Sequence, residues 1–282
     1  MGTNSLILSN NEIENLKAVI KEKNLNNSPI TNKYELLRIK DQDINLILYS
    51  SGKLVFNESN KTKNLIKSIL QTETNYDYVL GSDETGKGEW YGPLVVVVTA
   101  LKPEDVIKLR LMGVKDSKTI KTPKIIEVAK QILEAKIPYQ SLVLNPSTYN
   151  RLYTDFKRES KNLNDVMAWA HSRVIEDLLK KIKFNQAQVV IDKFDFKKTE
   201  YRLRKLEDPK IKVIQKIRGE TEVPVAAASI IAKYLFEKEV ESLNERYKLD
   251  LKNIGPDEIT PDILPYTAKM HFNNVKKYVK SD

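Results

Sequence analysis

Asp83 and Glu84 are consecutive acids that run directly into Gly86-Lys87-Gly88. Neighbouring like charges repel and side chains alternate faces along a strand, so both carboxylates are expected to serve one site only at a strand end where alternation lapses. Asp192 closes the apolar run VVID, and open α/β sheets gather functional groups at the carboxyl ends of their strands. Glu220 and Glu222 precede Pro224 and VAAASIIAK, where acids sit near the positive end of a helix. Each has a plainer alternative: an acidic turn, a turn-starting aspartate, a charge complementing a helix dipole. If the acids meet, they repel one another and any polyanion unless cations intervene.

The glycines of Gly86-Lys87-Gly88 let the backbone approach another chain closely, and its amides with one ammonium could receive a phosphate. The chain has no cysteine, which removes disulfides, thiolate metal sites and a cysteine nucleophile and is compatible with a reducing compartment. His171 and His271 are its only histidines, so chemistry near pH 7 is expected to run on carboxylates, a metal or both. Against 38 Asp and Glu there are 47 Lys and Arg, a net charge of +9; this favours a polyanionic partner through counterion release and is also found on solvated, lysine-rich surfaces.

With 41% hydrophobic and 30% charged residues over 282 positions, the chain reads as an ordinary globular protein. No apolar run approaches a membrane span, and the start MGTNSLILSN lacks a secretory pattern, so a cytoplasmic location without membrane contact is expected. Ser9 and Glu12 have capping-box spacing ahead of Ile13, Leu16 and Ile20, which predicts a helix to about Asn24. YELLRI, INLILY and KLVF then read as strands, with Ser50-Ser51-Gly52 as a hairpin turn, and a second helix carries Leu65, Ile66, Ile69 and Leu70. Apolar periodicity is lost over residues 71–77, which places a domain boundary there. Beyond it, the continuous run Leu94 to Val98 suits a strand buried on both faces. Helices are expected at about 123–136, 161–183 and 225–247, strands at 188–192 and over KVIQKI, and a loop with a closing helix over the last thirty residues.

GSDETGKGEWYGPLVV, GVKDSK at 113–118 and RGE followed by VAAASIIAK resemble, in order, three motifs of the type 2 ribonucleases H. The extension before Asp83, the YN…KNLN…AWAH pattern from Tyr149 to His171 and AKMHF at 268–272 are similar to the ribonuclease HIII branch, and YSSGKLVF is similar to that branch's TATA-binding-protein-like substrate-binding domain.

The resemblance implies a ribonuclease H-like mixed α/β sheet flanked by helices over residues 76–282, preceded by a small α+β substrate-binding domain over 1–75. It places the catalytic, metal-holding acids on Asp83, Glu84, Asp192 and Glu220. The interval from Glu220 to Ser229 is about one residue shorter than the family pattern, so Glu222 stays a contender for the fourth place. The implied activity is hydrolysis of the RNA strand of RNA/DNA hybrids by two metal ions, leaving 3′-hydroxyl and 5′-phosphate ends. Oxygen ligands suit Mg²⁺ or Mn²⁺. Gly86, Lys87, Gly88, Lys115, Ser117 and Lys118 are the implied substrate contacts, while Tyr149, Asn150, Asn162, Asn164, Trp169 and His171 are expected to pack and hydrogen-bond. The expected partner is an RNA/DNA hybrid duplex, and the expected state is a monomer. A non-catalytic nucleic-acid-binding module is the rival from another class, and a ribonuclease HII the nearer one.

Overall fold

The computed structural model describes residues 2–70, 75–114, 122–192, 208–216 and 222–278. Two compact units form, one from Met1–Asn75 with Pro103–Asp116, the other from Tyr76–Lys102 with Ser117–Asp282.

The first unit opens with β1 (Thr3–Ile7), which the sequence pattern did not predict, and α1 (Asn10–Glu22). Ser9 and Glu12 form the expected capping box. Strands β2 (Glu35–Asp41), β3 (Ile44–Tyr49) and β4 (Lys53–Asn57) follow, then α2 (Asn60–Leu70). The antiparallel sheet has the order β1-β4-β3-β2. Alternate residues Leu46, Leu48, Leu54 and Phe56 are buried with Leu16 and Ile20 of α1 and Leu65, Ile66 and Ile69 of α2, the period-2 and period-3.6 faces meeting as one core.

Helix α3 (Pro103–Leu111) belongs to this unit although it lies beyond the boundary read from composition. Ile107 and Leu111 pack against the core. The Arg110 guanidinium donates from Nη1 and Nη2 to the Glu12 carboxylate, the latter at 3.0 Å, and from Nη2 to the Ile7 carbonyl at 2.9 Å. Burial by itself would raise the Glu12 carboxyl, but Arg110 and the Ser9 amide hold it below its ordinary value.

The second unit carries β5 (Tyr78–Thr85), β6 (Leu94–Leu101), α4 (Thr122–Glu134), β7 (Tyr139–Leu144), α5 (Pro146–Arg158), α6 (Leu163–Leu179), β8 (Ala187–Asp192), β9 (Ile211–Lys216) and α7 (Val223–Tyr247), with short helices α8 (Leu264–Thr267) and α9 (Asn273–Lys276) at the end. Its mixed sheet has the order β7-β6-β5-β8-β9, with β5, β8 and β9 parallel and β6 antiparallel to both its neighbours. The expected helix over 161–183 is confined to α6 because Asn162 and Asp165 box its start, and α5, capped separately by Asn145, precedes it.

Every residue of β6 is buried, as a strand covered on both faces requires. Leu94, Val96, Val98 and Ala100 join Val166, Met167, Ala170 and Val174 of α6 in one core. On the opposite face α7 lies so close that a Cβ on Gly81 would come within 2.2 Å of the Val225 amide nitrogen; only glycine fits there. Thr99 Oγ1 donates to the Pro224 carbonyl at 2.9 Å. The sheet is thus clamped between α6 and α7.

Candidate active site

Strand β5 delivers Asp83 and Glu84 in regular register, Asp83 opposite Val97 and Glu84 opposite Val96. Alternation therefore does not lapse, contrary to the sequence expectation. Glu84 leaves the face covered by α6, where its Oε2 lies 3.1 Å from His171 Nε2. Asp83 leaves the α7 face and accepts a hydrogen bond from the Ser229 side chain. The two carboxyls leave the strand's end on opposite sides, and the Glu84 charge is felt at Asp83.

Their environments drive them apart. Burial, reinforced by the Glu84 charge, pushes Asp83 up to about 6 in spite of Ser229. Burial would also raise Glu84, but His171 and Lys87 hold it below its ordinary value. His171 is buried, 1% exposed, with Nδ1 2.7 Å from Ser82 Oγ, while Ser82 Oγ also donates to the Val97 carbonyl at 2.9 Å. The row Ser82, His171, Glu84 fixes the orientation of the second acid from below.

Beyond Glu84 the chain turns at Gly86, whose φ of +93° is a conformation glycine adopts at little cost, and where a Cβ would strike the Pro93 carbonyl at 2.1 Å. Lys87 reaches back to Glu84 Oε1 at 3.5 Å. The return of this loop is held by the segment Thr267–Lys269: Gly92 N–H donates to the Thr267 carbonyl at 2.9 Å and Lys269 N–H to the Trp90 carbonyl at 2.7 Å. The buried Lys269 ammonium donates to the carbonyls of Glu89 at 2.9 Å and Tyr91 at 2.7 Å. Burial pushes Lys269 down to about 7.

Strand β8 runs parallel to β5 with Ile191 level with Ser82, so the register brings the Asp192 backbone to the same end of the sheet as Asp83. The Asp192 side chain, Glu220, Lys115, Ser117 and Lys118 lie outside the described residues. Glu222 occupies the N-cap of α7 without a side-chain capping bond. Among the described residues no group of three or more His, Cys, Asp or Glu is placed to hold a metal ion. The donor chemistry nonetheless fits one: a half-buried, oxygen-only carboxyl pair, one member of which is raised to about 6 by desolvation and its neighbour's charge, is stabilised by a hard divalent cation.

Of the residues expected to pack and hydrogen-bond, Tyr149 is buried and stacks on Tyr153. Asn150 donates to the carbonyls of Pro265 and Ala268 and accepts from the Met270 amide. Asn162 caps α6. His171 does more than pack, because it touches a candidate catalytic acid. The roles of Ser229 and Lys269 were not read from the sequence: Ser229 served only to measure the spacing from Glu220 and Lys269 only as part of AKMHF, since a contact with groups far away in sequence carries no local signal.

A mixed sheet clamped between helices, with acids at the ends of adjacent parallel strands, is the layout of an α/β enzyme whose carboxylates call for a cation. The Ribonuclease HII family profile matches residues 80–278. Ribonuclease HIII of Chlamydia caviae is 30% identical over 273 residues, covering 88% of both chains; that of Chlamydia pneumoniae is 34% identical over 252 residues, covering 84% of this chain and 81% of its own. The crystal structure of Bst-RNase HIII in complex with Mn²⁺ superposes with a TM-score of 0.61 at 26% identity, covering 98% of both chains. The chain therefore belongs to the ribonuclease HII family, in its ribonuclease HIII branch. It is a ribonuclease H, an endoribonuclease that degrades the RNA of RNA/DNA hybrids.

Proposed function

We propose that Asp83, Glu84, Asp192 and Glu220 together hold two divalent ions, Mg²⁺ or Mn²⁺, and that the chain cuts the RNA strand to leave 3′-hydroxyl and 5′-phosphate ends. The observation that carries this is the half-buried Asp83–Glu84 pair at the end of β5, its two carboxyls driven to opposite sides of their ordinary values. When bound, such ions supply a hydroxide nucleophile and neutralise charge on the phosphate being cleaved. Asp83, aligned by Ser229, would help to hold them; Glu84 is kept ionised and oriented by His171. The Gly86–Gly88 loop, anchored through Lys269, presents backbone amides to the substrate strand, reading the 2′-hydroxyls across the wide minor groove of an A-like hybrid. Lys115, Ser117 and Lys118 contact phosphates.

Residues 1–75 form a separate substrate-binding domain, and residues 76–282 carry the chemistry. Support for this division comes from the first unit's own core, which takes in Ile107 and Leu111 of α3 besides residues before 75, and from the lack over residues 1–75 of a paired-acid motif like that of β5. The Mn²⁺ bound by Bst-RNase HIII supports the choice of cation. The enzyme acts as a cytoplasmic monomer; among the described residues no helix is long and apolar enough to cross a membrane.

Cleavage of a uniform RNA/DNA hybrid with and without Mg²⁺ or Mn²⁺, with the product ends mapped, tests the proposal. Metal-restored cutting with 5′-phosphate products is expected. Undiminished cutting in excess chelator overturns it.

A further inference from the structure

Strand pairing brings a third element to the active-site end of the sheet. Thr85 at the end of β5 lies opposite Val95, and Leu94 at the start of β6 lies opposite Leu144 at the end of β7. Helix α5, which begins at Pro146 just after β7, therefore leaves from the same end of the sheet as the Gly86 turn. Asn150 of α5 then ties down the segment 265–270 by three hydrogen bonds, and the other edge of that segment holds the loop after Gly88 through Lys269 and the Tyr91–Ala268 bridge.

Between α5 and this strap opens a cleft of about 600 Å³, lined among others by Arg151, Tyr153, Lys157, Arg158, His271 and Lys276, a volume that suits one small ligand. Its wall is aromatic. The rings of Tyr153 and His271 are 4.7 Å apart, Tyr153 stacks on the buried Tyr149, and His271 lies 4.5 Å from Phe272. Burial, with Lys269 and Lys276 nearby, pushes His271 down to about 4, so the wall is uncharged at neutral pH. Its rim is cationic: Asp155, also in the lining, pairs with Arg158 at 3.1 Å, leaving Arg151, Lys157 and Lys276 as exposed positive charge. An aromatic wall, its Tyr153 and His271 rings inclined at 37°, under a basic rim matches a nucleobase carried on its phosphate, the pairing used for single strands.

We propose that this cleft binds an unpaired nucleotide of the strand that continues beyond the hybrid duplex, its base against Tyr153 and His271 and its phosphate among Arg151, Lys157 and Lys276. The inference rests on the nucleic-acid reading of the adjacent site. Substrates in the cell that carry single-stranded flanks next to the hybrid would then be held more tightly than blunt ones.

Binding of the full chain to one hybrid duplex, blunt or carrying a short single-stranded tail at each of its four ends in turn, provides the test, with Ca²⁺ replacing Mg²⁺. At least one tail is expected to tighten binding by roughly fivefold or more, the contribution of one stacked base. Arg151→Gln with Lys157→Gln, both on an exposed helix face, and separately Tyr153→Leu, are expected to bring the tailed-to-blunt affinity ratio back towards one. Equal affinity of the wild type for blunt and all tailed duplexes overturns the proposal, as does a tail preference that survives both variants. Cleavage of the blunt hybrid by the wild type reports separately on the active-site reading, so the two fail independently.

Discussion

His171 Nε2 lies 3.1 Å from Glu84 Oε2 while its Nδ1 contacts Ser82 Oγ at 2.7 Å, so an imidazole from α6 links two residues that share one face of β5. Because the histidine is buried, its ring has few other orientations. Losing such a partner of a metal-binding carboxylate typically costs 10–100-fold in metal affinity or activity. His171→Ala is therefore expected to raise the Mg²⁺ concentration giving half-maximal activity by about 10-fold or more, with little change in KM for the hybrid. A metal titration at fixed substrate measures this; an unchanged midpoint with a uniformly lower kcat would assign His171 to packing alone.

Asp83→Asn is expected to abolish turnover while hybrid binding is retained or tightened, since one charge that opposes phosphate is gone. It has a second consequence in chelator. A carboxyl raised to about 6 in the folded chain and near its ordinary value when unfolded costs stability above pH 6, and the penalty fades as pH falls through 6 towards 4. The asparagine variant should thus be more stable than the wild type at pH 7.5, by on the order of 1–3 kcal/mol, and should lose the wild type's stabilisation by Mg²⁺. Thermal melts with and without metal at pH 5 and 7.5 give the answer.

The fourth acid is decided by comparing Glu220→Gln with Glu222→Gln in one cleavage assay. Loss of activity is expected in the first only, since Glu222 has a helix-start position where a charge tunes α7 by about 0.3–1 kcal/mol. Loss only in the second would move the role to Glu222.

An HIII-type site is expected to cut a single ribonucleotide embedded in DNA far more slowly than a continuous hybrid. Initial rates on the two substrates at equal concentration measure this; comparable rates favour an HII-type specificity.

The first unit is expected to raise affinity without joining the chemistry, since two weakly binding units on one chain raise each other's effective concentration on a shared duplex. A fragment starting near Asn75 keeps α3 but strips away the core that Ile107 and Leu111 enter, so the fragment is best made with Ile107→Gln and Leu111→Gln. Its KM should rise, its kcat at saturation should persist, and its binding should depend less steeply on salt. A folded fragment with an unchanged KM contradicts the role assigned to residues 1–75.

Arg110→Ala should destabilise the first unit by about 3–5 kcal/mol, because it strands the buried Glu12 carboxylate. Glu12 is held below its ordinary value, so the pair stabilises at and above pH 5 and its contribution is lost as pH falls through the depressed value. Denaturation of both forms at pH 7 and pH 3 should therefore show the gap narrowing in acid.

The local sequence determined a great deal. Ser9 and Glu12 set the start of α1, alternation in INLILY and KLVF set β3 and β4, and the unbroken run of β6 announced a strand covered twice; all are signals written within a few residues. The ordered motifs around Asp83, over 113–118 and around Glu220 pointed to a family and its activity, because their residue types and order are specific. Short or weakly periodic elements such as β1 and α3 were not legible, since pairing with β4 and burial of Arg110 on Glu12 define them from a distance. Only the tertiary structure decided that Asp83 and Glu84 leave opposite faces of β5, one to Ser229 and the other to His171. It alone brought Lys269 under the carbonyls of Glu89 and Tyr91. These relationships join residues far apart in sequence, and a burial or a hydrogen bond between two such groups exists only once the chain has closed around them.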